Sequence, residues 1–431
     1  MAKVPTAHPP AALRRLGLPS AAALVIASMI GSGVFTTSGF ALADHGRRDV
    51  VLLAWVAGGA LAMCGALCYG ALARRIPRSG GEYTFLTETL HPLPGFLAGW
   101  ISLLAGFTAP IAAAALLLQA YLSASFTVAV RPEWIGTAAI LIAAAMHGSR
   151  LREGVWLQNL AILLKLSAIV FFLVVGLGAL PPPEARALPA FEPGAFAVTL
   201  VWISFSYSGW NAAVYVAGEV RDPDRNLSRS LVLGTGLVTL LYVGLNTVFL
   251  YAAPIEELAG RPEIGAVAAE ALGGPPLRRV LSLLISLALF TSVSSMMMAG
   301  PRVYARMAED GRFPRWFSRR KEVPARAILL QAALSIIVVW ISDLRELLGY
   351  IGFTLGLCSV ATVIGLLVLR RREGRERVPI PGYPWVPWIF VVSTLWFATH
   401  MALLEPVQAG IGLLTAASGI PFYLLTRRRP T

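Results

Sequence analysis

Charged residues are scarce in this sequence. Only 14% of its 431 residues are charged and 56% are hydrophobic, whereas about 25% of the residues in soluble globular proteins are charged. Apolar runs long enough to cross a bilayer follow one another along the chain. The pattern excludes an ordinary soluble protein and predicts an all-α polytopic membrane protein, with one transmembrane domain over residues 1–431.

Cysteine and histidine are also scarce. The 3 cysteines lie in apolar runs, where they act as small hydrophobic residues, and the 5 histidines are scattered along the chain. No pair of these residues has the spacing of metal ligands. The sequence therefore predicts neither a metal site nor a cofactor.

The net charge of +13 does not indicate a nucleic-acid partner. The basic residues fall in short loops between apolar runs, where they set the orientation of the chain and meet anionic lipid headgroups. They concentrate in the loops on the side of the N-terminus. This asymmetry predicts a multi-pass protein of the cytoplasmic membrane with both termini in the cytoplasm.

Hydropathy divides the chain into twelve predicted spans, on the basis that about 20 apolar residues cross a hydrocarbon core of about 30 Å. The predicted spans are residues 17–40, 50–73, 93–125, 133–148, 155–180, 194–218, 229–253, 277–300, 325–342, 346–370, 385–403 and 407–426.

The first span contains the run Ile30-Gly31-Ser32-Gly33-Val34-Phe35. Glycine inside a helix costs about 0.5–1 kcal/mol relative to alanine. Two interpretations are open: small residues that let a neighbouring helix pack closely, or a broken helix whose free backbone groups face a ligand. Span six, the first of the second half, is interrupted in the same way by Ser208-Gly209, which favours the ligand site.

Span six also carries the most polar run of any span, Phe205-Ser206-Tyr207-Ser208-Gly209-Trp210-Asn211. These side chains need partners in a membrane, either neighbouring helices or a ligand. In the ligand interpretation, the broken first span offers N–H groups to a carboxylate and the broken sixth span offers carbonyls to an ammonium. Together they match the head group of an α-amino acid.

Lys165 is the only Lys or Arg near the middle of a span. An ammonium in a bilayer is costly and marks a functional site by default, although a lysine can also extend to the headgroup region. In the functional interpretation, carbonyls of the first span and hydroxyl groups of span eight hold it, with candidates in the run Thr291–Ser295. A fixed cation there would replace a bound sodium ion.

Two further observations concern substrate and gating. The central thirds of spans one, three, six, eight and ten contain no acidic residue, which favours neutral substrates; cationic amino acids or polyamines are the alternative. The segment from Arg75 to Tyr83 is a glycine-containing turn followed by a short amphipathic segment. It is interpreted either as a loop or as a gate element in which the glycines permit hinge motion.

Four segments together resemble the amino acid–polyamine–organocation (APC) superfamily of permeases, and most closely its L-type amino acid transporter branch. They are Gly31–Phe35, Pro77–Tyr83, Phe205–Asn211 followed by Gly218–Pro223, and Arg302 with Glu309–Gly311. Each segment alone is a weak indication of the family. Together, in this order, the four segments extend over predicted spans one to eight.

The resemblance implies the leucine-transporter type of fold, with 12 transmembrane helices. Two inverted repeats of five helices would occupy about residues 17–180 and 194–370, and two extra helices about residues 385–426. The implied substrate-binding residues are Ile30, Gly31, Ser32, Gly33, Phe205, Ser206, Tyr207, Ser208 and Asn211. Lys165, Ser292 and Ser295 match the position where sodium-coupled relatives hold an ion, and Phe205 matches an aromatic gate.

Several relatives have Gly-Gly where this chain has Ser208-Gly209, which indicates a smaller pocket or an added hydrogen bond. No cysteine lies in an outer loop, so no disulfide-linked accessory subunit is expected. The predicted partners are an amino acid substrate and membrane lipid, with proton coupling as one of the open mechanisms.

The predicted function is sodium-independent secondary transport of neutral L-amino acids by alternating access, as an exchanger or a proton-coupled symporter. A channel would have a polar stripe along whole helices, whereas the polar groups here cluster at one depth. A membrane-embedded enzyme would need paired acids, a metal set or a Ser/Lys dyad. Lys165 with Ser167 or Ser292 is the only conceivable dyad, so the sequence does not predict an enzyme.

Overall fold

The computed structural model describes residues 16–126, 130–148, 154–182, 189–309, 311–317 and 324–427. Within these ranges the regular elements are helices, and the only β contact is an isolated bridge between Leu16 and Val220. Helices satisfy their backbone hydrogen bonds internally, which is why apolar runs adopt them in lipid. The predicted all-α class is confirmed.

The α-helices follow the apolar runs of the sequence. In chain order they are α1 Leu18–Met29, α2 Thr37–His45, α3 Arg48–Arg75, α4 Gly81–Thr89, α5 Pro92–Ile101, α6 Ala109–Ser125, α7 Pro132–Gly148, α8 Gly154–Gly178, α9 Pro193–Ser206, α10 Ala212–Tyr215, α11 Pro223–Tyr251, α12 Ile255–Leu258, α13 Ile264–Glu309, α14 Ala325–Ile341, α15 Leu344–Glu373, α16 Trp385–Leu404 and α17 Pro406–Arg427. Non-helical backbone at Gly273 and Gly274 divides α13.

In the described ranges, 7 helices are long and apolar enough to cross a membrane. They are Arg48–Arg75, Pro92–Ser125, Pro223–Tyr251, Ile264–Glu309, Leu344–Glu373, Trp385–Leu404 and Pro406–Thr426. Shorter apolar helices are Leu18–Met29, Lys165–Gly178, Pro193–Ser206 and Ala325–Ile341. The protein is a multi-pass membrane protein.

Hydrogen bonds between helix ends define two faces of the bundle. On the N-terminal face, the N–H of Arg221 donates to the carbonyl of Leu16 at 2.8 Å, and the guanidinium of Arg75 bonds Glu373 at 2.5 Å. On the opposite face, the guanidinium of Arg345 bonds both oxygens of Asp44 at 3.0 Å. Helices α1 and α2 together therefore run from the N-terminal face to the opposite face.

Small residues let α1, α3 and α11 pack closely. A Cβ added at Gly234 of α11 would lie 2.7 Å from the Val25 side chain of α1. Backbones approach in this way in membrane bundles, because small residues leave no side chain between the helices. The packing places α1 against α11, so that side chains of α11 reach the end of α1.

A chain of buried hydrogen bonds fixes α2 to α3 and α11. Trp55 of α3 is fully buried and its Nε1 donates to Ser38 Oγ at 2.8 Å. Ser38 Oγ in turn donates to Asn246 Oδ1 at 2.6 Å. Since unpaired polar groups are costly in lipid, these bonds hold α2 in one position relative to α3 and α11.

The long helix formed by α5 and α6 contains a π-helical segment at Ser102–Thr108, directly before Pro110. Proline has no N–H to donate and crowds the preceding turn, and the wider helix relieves that crowding.

Candidate functional site

The first interruption begins where α1 ends, at Met29, and finishes where α2 begins, at Thr37. Residues 30–32 are not helical, and a 3₁₀ turn follows at Gly33–Phe35. In the described part of the chain, the N–H groups of Ser32 and Gly33 donate no hydrogen bond to the protein. A helix start of this kind presents free N–H groups and the positive end of a dipole.

The second interruption separates α9 from the short helix α10. Residues 207–211 form turns, and Gly209 has φ of +97°. No N–H of the described residues donates to the carbonyls of Ser204 and Ser206. The end of α9 therefore presents free acceptors, the complement of the free donors at the first interruption.

The two interruptions meet. A Cβ added at Gly33 would lie 2.6 Å from the Cα of Ser206, and one added at Gly209 would lie 2.6 Å from the carbonyl oxygen of Ser28. Thr37 Oγ1 and Ser206 Oγ share a hydrogen bond of 2.9 Å. These close approaches require glycine, so the Gly-Ser-Gly motif packs closely against the other break. That its free backbone groups face a ligand stays a prediction.

Two tyrosines hold the ends of the first interruption. Tyr242 of α11 donates from its hydroxyl to the Met29 carbonyl at 2.6 Å. Tyr121 of α6 donates to the Phe35 carbonyl at 2.8 Å. Both side chains are buried. They satisfy carbonyls that the helix break leaves without partners.

Lys165 of α8 lies at the same break. Its Nζ donates to the carbonyl of Ile30 and lies 3.4 Å from Ser292 Oγ of α13. The residue is 5% exposed. The structure brings Lys165 together with the predicted first break and with one of the two predicted serines. Ser295 lies nearly one turn further along α13.

Of the other predicted residues, Tyr207 is turned toward the scaffold. The Tyr207 hydroxyl donates to the Trp55 carbonyl at 3.0 Å, and its ring packs against those of Trp55 and Tyr242. Phe205 is buried, whereas Ser208 is half-buried at the turn. Asn211 is half-buried and its Nδ2 donates to Glu82 at 2.5 Å.

Glu82 was not among the predicted site residues. It belongs to α4, in the segment interpreted as a loop or a gate, and it is 6% exposed. The sequence places it outside every predicted span, so its burial against the second break follows only from the tertiary fold. The adjacent pair Gly80-Gly81 is the sequence feature that could have indicated it, because two adjacent glycines are typical of a close approach of the backbone.

The model of the amino acid permease family matches residues 16–418 of this chain. Curated proteins similar to it include the Asc-type amino acid transporter 1 of Mus musculus, which is 28% identical over 429 residues, covering 96% of this chain and 81% of that protein. The large neutral amino acids transporter small subunit 2 of Homo sapiens is also 28% identical, with 96% and 80% covered.

A third relative, the b(0,+)-type amino acid transporter 1 of Mus musculus, is 27% identical over 428 residues, with 96% of this chain and 88% of that protein covered. All three are amino acid transporters by name. The predicted resemblance to the APC superfamily is confirmed. Because the family model spans most of its length, this protein belongs to the amino acid permease family.

Proposed function

We propose that this protein is a secondary transporter of neutral L-amino acids that works by alternating access and does not require sodium. The observation that carries the proposal is the meeting of two helix breaks of opposite polarity. Among the described residues, the N–H groups of Ser32 and Gly33 and the carbonyls of Ser204 and Ser206 have no backbone partner. A zwitterionic head group needs both kinds of partner at one place.

Each part of the amino acid then has a role for this chain. The carboxylate accepts hydrogen bonds from the N–H groups of the first break, within the predicted set Ile30–Gly33. The ammonium donates to the carbonyls around Phe205–Ser208. Phe205 covers the substrate, Ser208 offers a polar contact beside its side chain, and Asn211 offers a polar contact to its head group. Binding at paired half-helix ends is common to transporters built from two interrupted spans.

Lys165 takes the part of a coupling ion in this proposal. Its ammonium already bonds the Ile30 carbonyl and lies near Ser292, so the break is braced by a covalently attached cation. A sodium ion would compete with that cation for the same oxygen atoms. The mechanism is exchange of amino acids or symport with protons, in which Lys165 gives up and regains a proton.

The proposed architecture has 12 spans, with α1–α2 and α9–α10 as the first helices of two inverted repeats, about residues 17–180 and 194–370. Helices α16 and α17 are the two extra helices. Both termini lie in the cytoplasm, so the N-terminal face is the cytoplasmic face. The concentration of Lys and Arg in loops on this face supports the orientation.

Cationic amino acids or polyamines are a second candidate class of substrate. A basic side chain would need a buried carboxylate near the site, and Glu82 bonds the predicted substrate-binding residue Asn211. Tyr69, Asn211 and Tyr215 already supply hydrogen bonds to this carboxylate. Neutral substrates are therefore favoured, since a cation would have to displace these donors.

The test is uptake by proteoliposomes of a panel of radiolabelled substrates, with and without an imposed pH gradient. The panel contains neutral L-amino acids, arginine, lysine and putrescine. Saturable uptake of neutral amino acids supports the proposal, and dependence on internal amino acid or on the pH gradient separates exchange from symport. Preferential uptake of arginine or putrescine supports the second class. Absence of saturable uptake across the panel contradicts both.

A further inference from the structure

A buried carboxylate lies on the N-terminal face, directly beside the second helix break. Glu82 Oε1 accepts hydrogen bonds from Tyr69 OH at 3.1 Å and from Asn211 Nδ2 at 2.5 Å. Glu82 Oε2 accepts from Tyr215 OH at 2.5 Å. Among the described residues, no Lys or Arg forms an ion pair with this carboxylate. Three neutral donors from α3 and from the segment around α10 therefore stabilise its charge.

The helix that carries Glu82 is docked tightly onto this segment. Gly81 has φ of +56°, and a Cβ added there would lie 2.8 Å from Cδ1 of Tyr215. Ser79 Oγ accepts a hydrogen bond from the N–H of Gly218 at 3.1 Å. The glycine allows α4 to approach so closely that its first carboxylate reaches the break.

The chemistry of the Glu82–Asn211 contact fixes the orientation of an amide. An ionised carboxylate has no hydrogen to donate, so Asn211 must turn its NH₂ group toward Glu82. The carbonyl oxygen Oδ1 of Asn211 then faces away from Glu82 as an acceptor. A neutral partner that can both donate and accept would allow the amide to take either orientation.

We propose that Glu82 is a positioning residue of the amino acid site, which holds Asn211 so that its Oδ1 is presented as an acceptor to the substrate ammonium. This inference rests on the proposed function and on the predicted role of Asn211. In this proposal α4 has a role beyond that of a loop or a gate element, because its carboxylate orients a side chain at the second break.

The first test is the substitution Glu82→Gln, assayed by uptake of radiolabelled L-alanine and L-leucine into proteoliposomes. Loss of the fixed amide orientation is expected to raise KM about tenfold while Vmax changes by no more than about twofold. A role in stability alone would lower the amount of active protein, and hence Vmax, without changing KM. Glu88→Gln is the matched control, because Glu88 lies on the same helix, is exposed and pairs with Arg78.

The second test exchanges the two chemical groups. Asn211→Asp alone places two carboxylates in contact and is expected to abolish uptake. Combining it with Glu82→Gln restores one acceptor-only group opposite one amide, and the carboxylate at position 211 again offers an oxygen to the ammonium. The double variant is expected to bring KM within about threefold of wild type, which is a coupling that independent residues would not show.

The outcomes separate this inference from the proposed function. If wild type takes up alanine or leucine but Glu82→Gln leaves KM unchanged, or if the double variant is no better than Asn211→Asp, Glu82 does not position Asn211. If wild type shows no saturable uptake of any neutral amino acid, the proposed function itself fails. Thermal unfolding of each variant in detergent distinguishes a folded variant with altered KM from one that does not fold.

Discussion

The buried ammonium of Lys165 donates a hydrogen bond to the backbone carbonyl of Ile30, at the point where α1 loses its helical conformation. The two residues are separated by 135 positions in the sequence. A side chain of α8 thus braces a helix break in α1, and the break is positioned from outside by a cation that cannot dissociate.

Replacing Lys165 tests this relationship. Lys165→Ala and Lys165→Met remove a hydrogen bond from a charged donor, a contribution of about 1.5–3 kcal/mol, and are expected to lower uptake at least about tenfold. The methionine keeps the apolar stem of the side chain. Val174→Ala on the same helix is the control, because Val174 is 66% exposed. Uptake in both Lys165 variants that equals wild type, with the same pH dependence, would rule out the role assigned to the lysine.

Gly209→Ala should disturb the second break. Gly209 has φ of +97°, and an added Cβ would lie 2.6 Å from the Ser28 carbonyl oxygen. A backbone conformation unfavourable for L-residues and an overpacked contact each cost about 1–3 kcal/mol. We expect a lower unfolding temperature in detergent together with reduced uptake. Gly410→Ala is the control, since an added Cβ there meets nothing within 4 Å, and it should leave both quantities unchanged or slightly improved.

The hydroxyl of Tyr242 should matter for transport beyond its effect on stability. Tyr242→Phe removes the 2.6 Å hydrogen bond to the Met29 carbonyl, which leaves an acceptor of the break unpaired. Tyr350→Phe removes a comparable bond of 3.0 Å to Thr415 Oγ1, away from both breaks. Each substitution is expected to cost about 1 kcal/mol of stability. Only the first should reduce uptake, and equal uptake in the two variants would contradict a functional role for the Tyr242 contact.

The ion pair of Arg345 with Asp44 joins α15 to the end of α2 on the opposite face. Neutralising either residue should favour a conformation open on that face, because α2 loses a tie to the neighbouring helix. The measurement is maleimide labelling of Ser208→Cys in a variant without the native cysteines. Labelling from that side should rise in Asp44→Asn and Arg345→Gln and fall again when the two charges are exchanged. Asp49→Asn, which breaks only a local pair with Arg47, should have no such effect.

The sequence predicted the features that local rules determine. Glycines at positions 31, 33 and 209 weaken a helix, and their corresponding places in two spans favoured a pair of interruptions over close packing alone. Lys165 was conspicuous because an ammonium in an apolar run is rare. The ends of helices were less well predicted: span eight was expected at 277–300, whereas α13 continues to Glu309.

The partners of the breaks could not be predicted, because they come from distant parts of the chain. Tyr242 and Tyr121 lie in helices whose apolar pattern does not distinguish a tyrosine at a break from one facing lipid. The burial of Glu82 could not be predicted for a different reason. It stands in a polar segment where a glutamate is ordinarily solvated, and only the docking of α4 against α10 buries it.

The central claim is that the two helix breaks together bind the head group of a neutral amino acid. The most direct measurement is uptake of radiolabelled neutral L-amino acids by proteoliposomes in sodium-free buffer, with the corresponding D-amino acids as competitors. Saturable uptake that L-amino acids inhibit more strongly than D-amino acids is the predicted result. Uptake that requires sodium, or that no amino acid inhibits, would contradict the account.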